Sequence, residues 1–124
     1  MNGKTLKAIR GATCSANEKS EITQNTVYLY DKLLTANGLA ETDIVSLFFS
    51  LTADLDAINP ASALRRSGRA GETAMMVLQE AAVQDSIPGT IRILIHVYLP
   101  TEKPVQHVYI HGAEKLRPEW EKST

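Results

Sequence analysis

A single cysteine, Cys14, is all the thiol chemistry in this chain of 124 residues. One cysteine excludes an internal disulfide and fits a reducing cytosol. With no activating histidine near it in sequence, Cys14 reads as a structural thiol rather than a nucleophile. An excess of charge of one sign is also missing, since 13 basic residues face 14 acidic ones for a net charge of −1. That balance leaves no electrostatic footprint for non-specific binding to nucleic acid or to a membrane surface. Long apolar runs are absent as well. The longest, Ile44 to Leu51, is far too short to span a bilayer and contains Ser46 and Ser50. The N-terminus lacks the apolar core of a signal peptide. No glycine-rich loop follows a strand and opens a helix, which argues against a nucleotide. His96, His107 and His111 make no metal set: the interval between the last two is helical, their segment reads as strand, and no cysteine or carboxylate completes a site. There is no internal repeat, low-complexity tract or linker. The expectation is a soluble cytoplasmic protein, one domain over residues 1–124 with a short polar tail after about residue 118.

What is present suffices for one ordinary core. Hydrophobic residues make up 44% of the chain, and at this size roughly two-thirds of the unfolded surface can be buried. Thr5 to Thr13 alternates as a strand, with Leu6, Ala8, Arg10 and Ala12 on what looks like the core side. Ser15 to Glu18 has capping-box spacing, and Glu21 adds negative charge to the first turn of the following helix. Ile22, Thr26, Leu29 and Leu33, with Tyr30 and Leu34 beside them, share one face of that helix, and Asn37-Gly38 supplies a left-handed stop. Asp43 to Thr52 reads as a buried strand. Pro60 opens a short helix through about Ser67, which Gly68 to Gly71 ends. Further strands are expected over Thr73 to Gln79, Thr90 to Leu99 and Val105 to Ile110, with a turn at Pro88-Gly89 and a loop at Thr101 to Pro104. This order implies an α+β fold, a mixed β-sheet with one long helix and a short helix on one face. The other face, if apolar, also needs cover, and in so small a chain an oligomer supplies it.

The arginines raise the functional question. A guanidinium stays charged at any ordinary pH, so Arg10 on a core-facing position calls for an anion or for solvent. Arg92 opens the half-polar face of its strand, which continues through Leu94, His96 and Tyr98. Arg65 lies on the short helix, and Arg117 lies between Leu116 and Pro118. Glu80 stands just past the third strand and Tyr109 within the fifth. Taken singly, each of these has an ordinary reading as a solvated, ion-paired or packed residue, and Glu80 could pair with Arg92 or Lys115. His107 shares a face with Tyr109, which suits a packing or hydrogen-bonding role.

The local wording goes further. The stretches Ile9-Arg10-Gly11-Ala12-Thr13, then Ser50, Thr52, Asp54, Leu55, Ala57, Pro60, Ala61, Ala63 and Arg65, then Gln79-Glu80, Ile91-Arg92, His107-Val108-Tyr109 and Leu116-Arg117-Pro118 occur in this order. Together they resemble the small trimeric chorismate mutases of the AroH class, from about Thr5 to Pro118. The resemblance implies a pseudo-α/β-barrel homotrimer with active sites between neighbouring subunits. It also implies rearrangement of chorismate to prephenate, toward phenylalanine and tyrosine, with no cofactor and no metal. On this resemblance Arg10 and Tyr109 hold a substrate carboxylate, Arg92 faces the ether oxygen of the breaking bond, and Glu80 accepts the ring hydroxyl. Arg65 and Arg117 supply positive charge at the mouth. Ala61 and Leu116 line the pocket, and Asn59 and Val77 correspond to its walls. Apart from the resemblance, the position of the tail after Pro118, beside Leu116 and Arg117, makes its closure over the cleft a hypothesis rather than a reading.

Departures from the family pattern leave this charged set intact. Asn59 stands where several relatives have an aromatic wall residue, Val77 where a cysteine often stands, and Met76 in place of a threonine; Ser62 stands where some members have a lysine, so one peripheral cation is expected to be missing. Activity is expected to survive them, with weaker substrate binding. The alternative from another class is a non-catalytic trimeric module that binds a small dianionic metabolite. A mere carboxylate binder would need no cation poised over an ether oxygen, and a related trimeric imine hydrolase leaves the Glu80 and Arg92 pair unexplained.

Overall fold

The structure, a computed structural model, describes residues 3–116. Arg117 and the tail after Pro118 lie outside the described residues. Five strands form one sheet: β1 (Lys4–Cys14), β2 (Ile44–Leu51), β3 (Ala74–Gln79), β4 (Thr90–Pro100) and β5 (Val108–Ile110), in the order β3-β2-β4-β1-β5. β4 is antiparallel to both β1 and β2, whereas β3 runs parallel to β2 and β5 parallel to β1. Two helices, α1 (Lys19–Asn37) and α2 (Pro60–Arg66), complete the mixed α+β fold expected from the sequence.

Both helices cover the same face. Ile22, Leu29, Tyr30 and Leu33 of α1 and Leu64 of α2 are buried together with Ile9, Leu47, Phe49, Ile91, Ile93, Ile95 and Val97 of the sheet. This face of β1 comprises Ile9, Gly11 and Thr13, so the expectation that Arg10 sits on the core side is corrected. The two faces of β1 carry similar apolar content, and alternation alone could not rank them. What decides the matter is Gly11. A Cβ there would lie 2.8 Å from Leu33 Cδ1 and 3.1 Å from the Val108 carbonyl oxygen, so α1 and β5 pack closely over a position without a side chain.

The opposite face is largely open, with Leu6 50%, Met76 55%, Leu78 51% and Tyr98 37% exposed. Strand β2 therefore departs from the buried strand expected: Phe48 belongs to the open face and Val45 is exposed. Its apolar character serves two surfaces rather than one core.

Two local details differ from the sequence reading, each because another group competes. The capping box is not formed: Glu18 takes the N-cap position of α1 with no side-chain cap, while Ser15 Oγ donates to the Ala16 carbonyl at 2.8 Å. Asn17 instead ties this end of α1 to the loop before α2, its Oδ1 accepting the amides of Asp56 and Ala57 at 3.0 Å each. Strand β5 starts only at Val108, because the preceding residues are held by side chains rather than by a ladder. Asn37 Nδ2 donates to the Gln106 carbonyl at 2.9 Å, and Asn37 Oδ1 accepts the Gln106 amide at 2.7 Å. At the other end of expectation, Gly38 does terminate α1 in the left-handed region, with φ 59°.

The segment from α2 to β3 is fixed from below by α1 and the turn Glu41–Asp43. Arg69 forms a two-pronged pair with Asp31 at 2.9 and 2.8 Å. Glu41 Oε2 accepts both the Tyr30 hydroxyl at 2.6 Å and the Ala70 amide at 2.9 Å. These contacts hold α2, and with it Arg65, against the body of the protein.

Candidate active site

Strand register assembles the site on the open face. Across β4, Arg92 stands between Ala12 of β1 and Ser50 of β2, and Leu94 stands between Arg10 and Phe48. Tyr109 on β5 is level with Ala12. A cavity of about 260 Å³ opens here, with Arg10, Arg92, Tyr109 and Leu116 among its lining residues, together with the apolar Phe48 and Leu78. Leu116 reaches it from the short turn Ala113–Leu116.

Glu80 enters through Arg92. Its backbone amide donates to the Leu51 carbonyl at 2.9 Å, which extends the β2–β3 pairing one residue past β3. From that point its Oε2 lies 2.8 Å from Arg92 Nε and accepts the Ser50 hydroxyl at 2.9 Å. Glu80 is the more buried partner, with 17% of its side chain exposed against 49% for Arg92. The carboxylate anchors the guanidinium by its inner nitrogen and leaves the terminal N–H groups, which among the described residues have no hydrogen-bond partner.

The other sequence-predicted residues lie elsewhere in the chain. Arg65 projects from α2, with Nη2 donating to the Thr73 carbonyl at 3.1 Å, and does not line this cavity. Asn59 caps α2, its Oδ1 accepting the amides of Ala61 at 2.8 Å and Ser62 at 3.3 Å. Ala61 and Val77 pack against the core; in this chain Leu78, not Val77, lines the cavity. Phe48, Ser50 and Leu78 are the contributors whose place the sequence reading missed. That Phe48 and Ser50 share one face of β2 was visible in the spacing, but which strands lie beside β4 was not. Among the described residues no group of three or more His, Cys, Asp or Glu could hold a metal ion.

Two guanidiniums and a phenol around a small, mostly apolar cavity are suited to a compact anion. Planar guanidinium forks match carboxylates, and the apolar remainder accommodates a ring. Fold and site thus define a small α+β protein with a cationic cavity, suited in its chemistry to a compact anion, on the open face of its sheet.

The chain belongs to the chorismate mutase type I family, whose model matches residues 6–120. It is 30% identical over 116 residues to chorismate mutase AroH of Bacillus subtilis (strain 168), covering 92% of this chain and 91% of that protein. To chorismate mutase AroH of Thermus thermophilus it is 33% identical over 120 residues, covering 94% and 97% of the two chains. A solved chorismate mutase from Clostridium thermocellum superposes with a TM-score of 0.80 at 41% identity, covering 88% of this chain and 98% of that one.

Proposed function

We propose that this protein is a chorismate mutase, converting chorismate to prephenate by an intramolecular Claisen rearrangement in phenylalanine and tyrosine biosynthesis. The observation that carries the mechanism is Arg92, held through Nε by Glu80 at the wall of the cavity that Arg10 and Tyr109 also line. Chorismate has two carboxylates and rearranges through a cyclic transition state without a nucleophile or a proton transfer. The protein has to fold the side chain over the ring and stabilise charge as the C–O bond lengthens.

Arg10 and Tyr109 hold a substrate carboxylate, a contact kept from ground state to transition state. The terminal N–H groups of Arg92 meet the ether oxygen, where negative charge develops, so they bind the transition state more tightly than the ground state. Glu80 Oε2 is engaged by Arg92 and Ser50, which leaves Oε1 to accept the ring hydroxyl. Glu80 thus orients both cation and substrate.

The assembly proposed is a homotrimer in the cytoplasm. In support, Leu6, Met76, Leu78 and Tyr98 leave an apolar sheet face exposed in one chain. A neighbouring copy over that face would bring in Arg65, Asn59 and Ala61, with Arg117 adding charge at the mouth. No helix among the described residues is long and apolar enough to cross a membrane.

The test is direct. Purified protein mixed with chorismate should remove its ultraviolet absorbance far faster than the spontaneous reaction, and no acceleration would defeat the enzyme assignment. Sedimentation should give three times the mass of the 13.6 kDa chain.

A further inference from the structure

Each amide of a central strand needs an acceptor, and for amides of β1 that face β5 the normal acceptor is a carbonyl of β5. The parallel pairing of β1 with β5 runs over Gly11 with Val108, Ala12 with Tyr109 and Thr13 with Ile110. Arg10 lies one residue outside it. At that point Asn37 holds Gln106 away from the ladder by both its backbone groups. The Arg10 amide is met instead by a side chain: it donates to His107 Nδ1 at 3.0 Å.

An imidazole nitrogen that accepts a backbone N–H carries no proton, so the ring is neutral with its hydrogen on Nε2. His107 stands in for a strand carbonyl at the end of a three-residue ladder. The bond joins the backbone of Arg10 to the residue two before Tyr109. Arg10 and Tyr109 both line the cavity, from neighbouring strands.

We propose that His107 is a positioning residue that sets the separation of Arg10 and Tyr109 through the Arg10 amide. This rests on the proposed function, in which those two groups share a substrate carboxylate. A contact made equally in the ground state and transition state acts on KM, so loosening it should raise KM and leave kcat nearly unchanged.

Three proteins test the idea with chorismate as substrate: wild type, His107→Phe and His107→Asn. Asparagine places an acceptor oxygen near the position of Nδ1, whereas phenylalanine keeps the ring and removes the acceptor. His107→Phe should raise KM about tenfold, the scale set by one unmet backbone donor, with kcat within about twofold. His107→Asn should return KM close to that of the wild type. An unchanged KM in folded His107→Phe overturns the proposal, and so does an equal rise in both variants, since the ring rather than the acceptor would then matter. Should His107→Phe not fold, His107→Ala against His107→Asn gives the same comparison. Wild-type turnover, read in the same series, tests the enzyme assignment separately.

Discussion

Nε of Arg92 lies 2.8 Å from Oε2 of Glu80, and the Ser50 hydroxyl donates to that same oxygen at 2.9 Å. A guanidinium fixed by its inner nitrogen can direct its outer fork at a ligand without reorienting. An ammonium on a flexible stem cannot do both. Arg92→Lys should therefore lower kcat on the order of a hundredfold to a thousandfold, the usual loss for one preorganised donor. Citrulline at position 92 keeps the shape and loses the charge, and it should also act mainly on kcat. Steady-state kinetics on the two proteins check this, and a citrulline protein with the wild-type kcat would sink the electrostatic role.

Asn59 has a structural duty that its place in the family pattern did not suggest. Its side chain caps α2, the short helix that carries Arg65. Asn59→Ala should destabilise the protein by about 1 kcal/mol, the ordinary worth of such a cap. For a domain of this size that lowers Tm by about 3–5 °C at fixed protein concentration. Asn59→Ser should recover most of the loss in a thermal melt, because the hydroxyl can accept the same amide.

The helical periodicity of residues 22–33 and the stop at Gly38 were legible because both depend on neighbours in sequence. So was the presence of five strands. The face on which Arg10 sits was not, because alternation fixes two faces but does not say which one α1 covers. That choice lies in the fit of Leu29 and Leu33 over Gly11, a contact between segments far apart in the chain. The start of β5 was hidden for a similar reason, since Asn37 and His107 take the place of ladder partners. Arg10, Glu80, Arg92 and Tyr109 were named as a set by their wording. That Ser50 reaches Glu80, and that Phe48 and Leu78 form the apolar wall, follows from the strand order alone.

Gly11→Ala should expose how tightly this face is packed. The added Cβ would sit 2.8 Å from the tip of Leu33 and 3.1 Å from the Val108 carbonyl oxygen. Leu33 can turn aside, but the Val108 carbonyl belongs to the backbone of β5. Overpacking of this kind costs about 1–3 kcal/mol, and a urea titration should show the midpoint falling accordingly. Because the shift would fall between Arg10 and Tyr109, KM for chorismate should rise as well. A variant with an unchanged midpoint would show that β5 yields freely.

Tyr30 gives the protein an alkaline weakness with a defined sign. The side chain is buried, and its hydroxyl donates to Glu41 Oε2 at 2.6 Å. Burial, then the bond to Glu41 and the charge of that carboxylate, hold the phenol well above its ordinary range in the folded state. In the unfolded chain it titrates near 10. Below that pH both states keep the proton, and this group adds no pH dependence. Above it the unfolded state ionises while the folded state does not, so stability falls by up to about 1.4 kcal/mol per pH unit. Tyr30→Phe removes the proton and the hydrogen bond together. It should be less stable than the wild type at neutral pH by about 1 kcal/mol, the net worth of one such bond. Its stability should then decline less steeply above pH ~10, so that the two curves converge as the solution becomes more alkaline. Denaturant midpoints measured from pH 7 to pH 11 decide the point. Curves that stay parallel across that range would mean that Tyr30 ionises as readily in the folded protein as in the unfolded one.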